Sequence, residues 1–126
     1  MKNYSRALVL YGNGKHEESL EHISKVKYDL DHFKLDVKIF MLKIFYELKL
    51  DEQAHSLADT FRHYIKSSAA MREKIKESYN NFLKYYIKII KMQSSDNTKE
   101  ARLIKKQMDT VQYLSHKTWL YEKLGV

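Results

Sequence analysis

A chain of 126 residues with no cysteine, no proline, three glycines and a formal charge of +7 excludes several classes at once. Without cysteine there is no disulfide framework, no thiolate metal centre and no cysteine nucleophile. No apolar run approaches the ~20 residues of a membrane span, and none of signal-peptide length follows Met1 and Lys2, so the expectation is a soluble, cytoplasmic protein that does not enter a membrane.

The length suits a single domain over residues 1–126, long enough to bury roughly two-thirds of its unfolded surface. Proline interrupts helices and glycine weakens them, and here both are scarce. Apolar residues recur every three or four positions rather than every second, which predicts an all-α chain of about six to seven helices. A first helix is expected over residues 3–11, stopped by Gly12-Asn13-Gly14, since glycine and asparagine accept the left-handed conformation of a helix end. A second covers 16–26, with Glu17 and Glu18 at the positive end of its dipole. Residues 28–30 read as a connector. Asp31 can cap a third helix, which runs to about Leu48 with Leu35, Ile39, Leu42, Phe45 and Tyr46 at helical spacing. Asp51 caps the fourth, with Ala54, Leu57, Ala58, Phe61 and Ile65 on one face.

After a break at Ser67-Ser68 comes a long fifth helix over 70–92. Its expected buried stripe is Ile75, Tyr79, Phe82, Leu83, Tyr86, Ile87 and Ile90, and Tyr85 falls off that stripe. Residues 94–98 are the most polar stretch and predict a loop. A sixth helix should turn Leu103, Ile104, Met108, Val111 and Leu114 inward. Residues 118–124 either continue it or form a short last helix, in which Trp119 and Leu120 close the core. All of the excess charge lies in the second half: residues 64–126 hold thirteen Lys/Arg and six Asp/Glu, whereas residues 1–63 hold ten of each. Only four of the basic residues are arginine, the better reader of phosphate and base edges.

Chemical motifs are sparse. Gly12-Asn13-Gly14-Lys15 has the glycine and lysine of a phosphate loop, but Val9 stands where an earlier glycine is needed and His16 where a Ser/Thr is needed. A helix-ending turn explains those residues fully. His55, Asp59 and His63 lie at i, i+4 and i+8, a spacing able to present neighbouring metal ligands, but the glutamate and outer ligands of known zinc helices are missing and a solvated face is much the better reading of the three. Glu73 and Glu77 sit at i, i+4 beside Lys74 and Lys76, as on a solvated helix. No enzyme, cofactor or metal is expected. Tyr79, Phe82, Tyr85 and Tyr86 could stack bases, although three of the four share the apolar stripe.

Two segments repeat. Ala7, Leu10, Gly14, Ser19, Ile23 and Val26 in the first are followed in the second by Phe45, Ala54, Ala58 and Phe61, with Gly14 and Lys49 in matching turn positions 35 apart. Leu42 and Lys49 replace a small residue and a turn glycine. This pattern resembles the tetratricopeptide repeat, whose period is ~34 residues. The motif's helix A tryptophan and closing proline are absent from both segments. The run Leu35-Asp36-Val37-Lys38, with Lys43 to Leu48 after it, is also similar to bacterial proteins carrying such repeats near the C-terminus. The resemblance implies antiparallel helical hairpins stacked as a short α-solenoid, in units of about 3–28, 31–66 and 70–115 with a closing segment 116–126, and the expectation is the end of a longer array. It covers residues 3–66 best and extends loosely to 70–115. A generic antiparallel bundle also places small residues where helices approach. Repeat ends need a capping face, so an apolar patch at Tyr4, Leu8 and Tyr11 and self-association through the first helix are expected.

The resemblance further implies a concave face that takes extended peptides. If the fifth helix plays the first-helix role, Lys84, Lys88 and Lys91 project there, with Lys43 and Tyr46 at comparable positions on the third. The family's carboxylate-clamp subset is not reproduced, because the first unit offers Tyr4 and Leu8. The expectation is a non-enzymatic scaffold that binds a protein or peptide, acidic or C-terminal, in a groove marked by Lys43, Tyr46, Lys84, Lys88 and Lys91. An ordinary lysine-covered surface is the plain alternative for those residues, and a nucleic-acid-binding module using the basic C-terminal half is the alternative function.

Overall fold

Helix stops and caps encoded in the sequence divide the chain where glycine, αL residues and polar caps fall. A computed structural model describes residues 2–24, 31–93 and 97–126. Among them are seven α-helices and no strand: α1 (Lys2–Gly12), α2 (His16–Ile23), α3 (Asp31–Glu47), α4 (Asp51–Ser67), α5 (Glu73–Gln93), α6 (Thr98–Asp109) and α7 (Lys117–Leu124). The chain is all-α. The expected connector at 28–30, the position of Val26 and the loop residues 94–96 lie outside the described residues, as does the Asp31 side chain on which the expected cap depends. The described chain forms two compact units, Met1–Leu57 and Ala58–Val126, and the division falls within α4.

In the first unit α1 and α2 form a hairpin. Gly14, at φ +78°, adopts the left-handed conformation that ends α1. Its N–H donates to the Tyr11 carbonyl at 3.0 Å and the Lys15 N–H to Leu10 at 2.8 Å. These are the two bonds of a Schellman helix end. Ala7 and Ser19 are fully buried where the two helices meet, and the Ser19 hydroxyl donates to the Ala7 carbonyl at 2.6 Å. Two small side chains permit that approach. The core of this unit is Ala7, Ile23, Val37, Phe40 and Ile44, with Tyr4, Tyr11, Leu20, Met41 and Leu48 packed on it.

Two sequence expectations change here. The helical spacing singled out one face of α3, yet Val37, Phe40 and Ile44 are buried together with Leu35, Ile39, Leu42 and Phe45. A helix that is apolar around its circumference is a buried helix, and single-face periodicity understates it. The expected apolar patch on α1 is not an exposed trio. Tyr4 and Tyr11 lie over Phe40, with ring centroids 5.9 Å and 5.3 Å away, whereas Leu8 is 44% exposed and neighbouring Val9 63%. Tyr4, Ala7 and Tyr11 define the inward face, and Leu8 falls at its margin.

In the second unit α5 packs against α6 and α7, which also touch each other. Asn97 caps α6, its side-chain oxygen accepting from the Glu100 N–H at 3.1 Å. The segment from α6 to α7 is pinned to α5. Ser78 and Ser115 share a hydroxyl hydrogen bond of 2.6 Å, and the Asn81 amide donates to the Tyr113 carbonyl at 2.9 Å. His116, in the left-handed region at φ 53°, then redirects the chain into α7. Trp119 stacks on Tyr86 (6.1 Å, 23°), and Leu120 is fully buried, so the closing segment completes the core of this unit.

The helix bounds and burial correct the sequence reading in three places. α5 begins at Glu73 rather than near Ala70, and Ile75 in its first turn is 42% exposed. Tyr85 is 3% exposed, because α6 and α7 cover α5 over a wider arc than one stripe. α6 ends at Asp109, so Val111 and Leu114 lie beyond it. Ala101, Ile104 and Met108 make its inward face, with Leu103 on the outside at 57% exposure.

Candidate functional site

A concave feature lies in the second unit, between the last turns of α4 and one stripe of α5. It is a groove of about 1000 Å³. α4 supplies Arg62 and Lys66. α5 supplies Glu73, Lys76 and Glu77 near its start, Asn80 and Asn81 in the middle, and Lys84, Ile87, Lys88 and Lys91 toward its end. The α5 residues recur at the i, i+3, i+4, i+7 spacing of a single helix face. Phe61 on α4 faces Tyr79 on α5, with ring centroids 5.9 Å apart, which brings the two helices together at the first half of α5.

Among the described lining residues six are cationic and two are carboxylates. The lysines are not equivalent. Lys84 is exposed, and its ammonium lies 5.4 Å from the centroid of the buried Tyr85 ring. Lys88 sits the same distance from that ring and donates to the Gln107 side-chain oxygen at 2.9 Å. Lys88 therefore also joins α5 to α6. Arg62 is 3.5 Å from Asp59, which also lies 3.7 Å from His63. Chemically the groove offers ammonium and amide donors around a single aliphatic side chain, Ile87. That set suits an anionic, extended ligand more than an apolar one.

The five residues singled out in the sequence divide. Lys84, Lys88 and Lys91 line this groove. Lys43 and Tyr46 lie on α3 in the first unit, both partly buried, and are not among its lining residues. Burial, then the neighbouring Glu47, pushes the Tyr46 phenol above its ordinary range. Sequence reading missed Arg62 and Lys66, since nothing local says which helix will flank α5. Glu73 and Glu77, expected on a solvated helix face, are exposed and line the groove as well. The one available signal was Asn80-Asn81, two weak helix formers in mid-helix, where a polar demand outweighs propensity.

The other candidates resolve by geometry. The amides of Gly14 and Lys15 close α1, so the Gly12 to Lys15 turn spends its donors on its own helix rather than on an anion. Asp59 in the histidine cluster is engaged with Arg62 and His63, and among the described residues no group of three or more His, Cys, Asp or Glu side chains could hold a metal ion. Of the four aromatics able to stack bases, Phe82, Tyr85 and Tyr86 are buried. No helix among the described residues is long and apolar enough to cross a membrane. No protein-family model, no curated protein and no solved structure matches the chain.

Proposed function

We propose that this chain is a non-enzymatic protein-binding module that takes an extended acidic segment of a partner in the groove along α5. The observation that carries this reading is the lining of that groove, among the described residues, by six cationic side chains against two carboxylates, with two asparagines and one aliphatic residue. Opposite charge raises the encounter rate and fixes register at such a surface. From Glu73 to Lys91 the helix rises about 27 Å, the length of about eight extended residues. The proposal takes α1 to α4 as a tetratricopeptide-like pair of hairpins, a reading supported by the equivalent turns at Gly14 and Lys49. A cysteine-free chain suits a reducing compartment, and the proposal takes the cytoplasm as its location.

A protein ligand is favoured over nucleic acid. Single-stranded nucleic acid is held by aromatic platforms and a basic track together, and here Phe82, Tyr85 and Tyr86 are buried. Among the described lining residues Arg62 is the one arginine, and Asp59 neighbours it. The test is a low-salt titration of the whole chain with a labelled octapeptide of aspartate and glutamate, beside a single-stranded oligonucleotide. The peptide should bind, and K84E/K91E should weaken it about tenfold or more. Unchanged peptide affinity in that variant overturns the proposal. So does tighter oligonucleotide binding with a steep salt slope.

A further inference from the structure

Two of the groove lysines are held from behind. Lys84 and Lys88 each place an ammonium 5.4 Å from the centroid of one ring, that of Tyr85, which is 3% exposed. Gln107, in the last turn of α6, accepts from Lys88 at 2.9 Å through its side-chain oxygen. An ammonium carries protons and no lone pair, so only the oxygen of that amide can face it. The end of α6 that carries Gln107 is itself closed: the Gln107 carbonyl accepts from the Thr110 hydroxyl at 2.8 Å and from the Thr110 N–H at 3.3 Å. Neither Tyr85 nor Gln107 lines the groove. Lys66 and Lys76 do line it, but their side chains have no hydrogen bond, ion pair or ring contact among the described residues. Such a lysine loses rotamer freedom when a ligand orders it, and the loss weakens binding. Lys84 and Lys88 are already ordered in the folded chain.

We infer that the groove has one anchoring subsite, the Lys84–Lys88 pair, which seats a carboxylate of the bound acidic segment, and that Tyr85 and Gln107 are positioning residues for it. This rests on the peptide-binding reading above. Lys84 and Lys88 are one helical turn apart, so one carboxylate can take a charge-assisted hydrogen bond from each. One bond to Gln107 leaves the Lys88 ammonium two protons for ligand oxygens. The Tyr85 ring attracts both ammoniums without neutralising either, so their charge stays available to the carboxylate. Lys66 and Lys76 then add attraction over distance, which salt screens, and little affinity at contact.

The test titrates the whole chain with the labelled octapeptide of aspartate and glutamate at low salt and compares variants of equal charge. K84Q/K88Q and K66Q/K76Q each remove two positive charges from the same groove. K84Q/K88Q should weaken binding about tenfold or more, and K66Q/K76Q by less than about threefold. Gln107→Met keeps a long helix-favouring side chain and every charge but removes the oxygen. It should weaken binding about two- to tenfold, the effect of releasing one ordered lysine, with the slope of affinity against salt unchanged. K84Q/K88Q should flatten that slope. Binding is read where urea denaturation shows each variant fully folded, so a loss of stability alone does not move it. Equal losses in the two double variants overturn the inference and leave the groove reading standing. Wild-type affinity in Gln107→Met overturns it as well. If the wild-type chain does not bind the octapeptide, the groove reading falls and takes this inference with it.

Discussion

Gly14 and Lys49, 35 positions apart, close their helices in the same way. Each has positive φ, +78° at Gly14 and 58° at Lys49. Each donates its N–H three residues back, Gly14 to Tyr11 at 3.0 Å and Lys49 to Tyr46 at 3.2 Å. The next residue donates five back, Lys15 to Leu10 at 2.8 Å and Leu50 to Phe45 at 2.9 Å. A β-carbon in this conformation is strained, and glycine relieves it. Lys49→Gly should therefore stabilise the protein by about 1 kcal/mol. Gly14→Ala should destabilise it by about 1 kcal/mol through backbone strain alone, since a β-carbon there meets no atom within 4 Å. Urea midpoints at unchanged slope measure both. A Lys49→Gly midpoint at or below wild type would refute the equivalence of the two turns.

Ser19 makes a second test of the first hairpin. Its hydroxyl donates to the Ala7 carbonyl at 2.6 Å in a fully buried contact. Alanine occupies the corresponding position 54, also fully buried, so loss of the hydroxyl leaves a tolerated side chain. Ser19→Ala should cost about 1 kcal/mol, the net worth of one buried hydrogen bond. Ser19→Val should cost more, about 1–3 kcal/mol, because α1 and α2 must part to admit it. Denaturation midpoints rank the two variants. The reverse order would mean that the hydrogen bond, not close approach, sets the site.

Stability at high pH should depend on Tyr121. Its hydroxyl donates to Asp109 at 2.5 Å, and this bond first, then burial and the nearby Asp109 charge, pushes the phenol from 10.0 up to about 12. A raised value means the folded state prefers the neutral phenol. The stabilisation is thus complete below the ordinary value and is lost as pH rises from there through about 12. Tyr4 and Tyr46 are also raised and act in the same direction, whereas burial lowers Lys38, which acts in the opposite one. Comparison with Tyr121→Phe cancels those contributions. The wild-type advantage in urea midpoint should be present near neutrality and shrink through the alkaline range. A difference that does not vary with pH would show that this contact does not titrate.

Much of the fold is legible because helix signals are local. The left-handed residues at Gly14 and Lys49, the cap at Asn97 and the 3.6-residue spacing all act within a few positions. Burial is less legible where a helix has neighbours on several sides. Single-face spacing found Leu35, Ile39 and Leu42 on α3 but passed over Val37, Phe40 and Ile44, and it found Phe82 and Tyr86 on α5 but not Tyr85. The site follows the same division. Lys84, Lys88 and Lys91 share one helix face and were found together. Arg62 and Lys66 reach the groove only through the tertiary placement of α4, where Phe61 meets Tyr79, and no local pattern encodes that.

The two ends of the α5 stripe make the last prediction. Ile75 has the spacing of a core residue but is 42% exposed, whereas Tyr85 lacks that spacing and is 3% exposed. Ile75→Ala should stay within about 0.5 kcal/mol of wild type, as surface changes do. Tyr85→Ala should cost about 3–5 kcal/mol, as for other large aromatics removed from a core. It also removes the ring over which Lys84 and Lys88 sit at 5.4 Å. Tyr85→Phe keeps the ring, and with it both the packing and the cation contacts. It should fall far closer to wild type in urea denaturation and retain binding of an acidic peptide. Equal losses at Ile75 and Tyr85 would restore the stripe read from spacing alone.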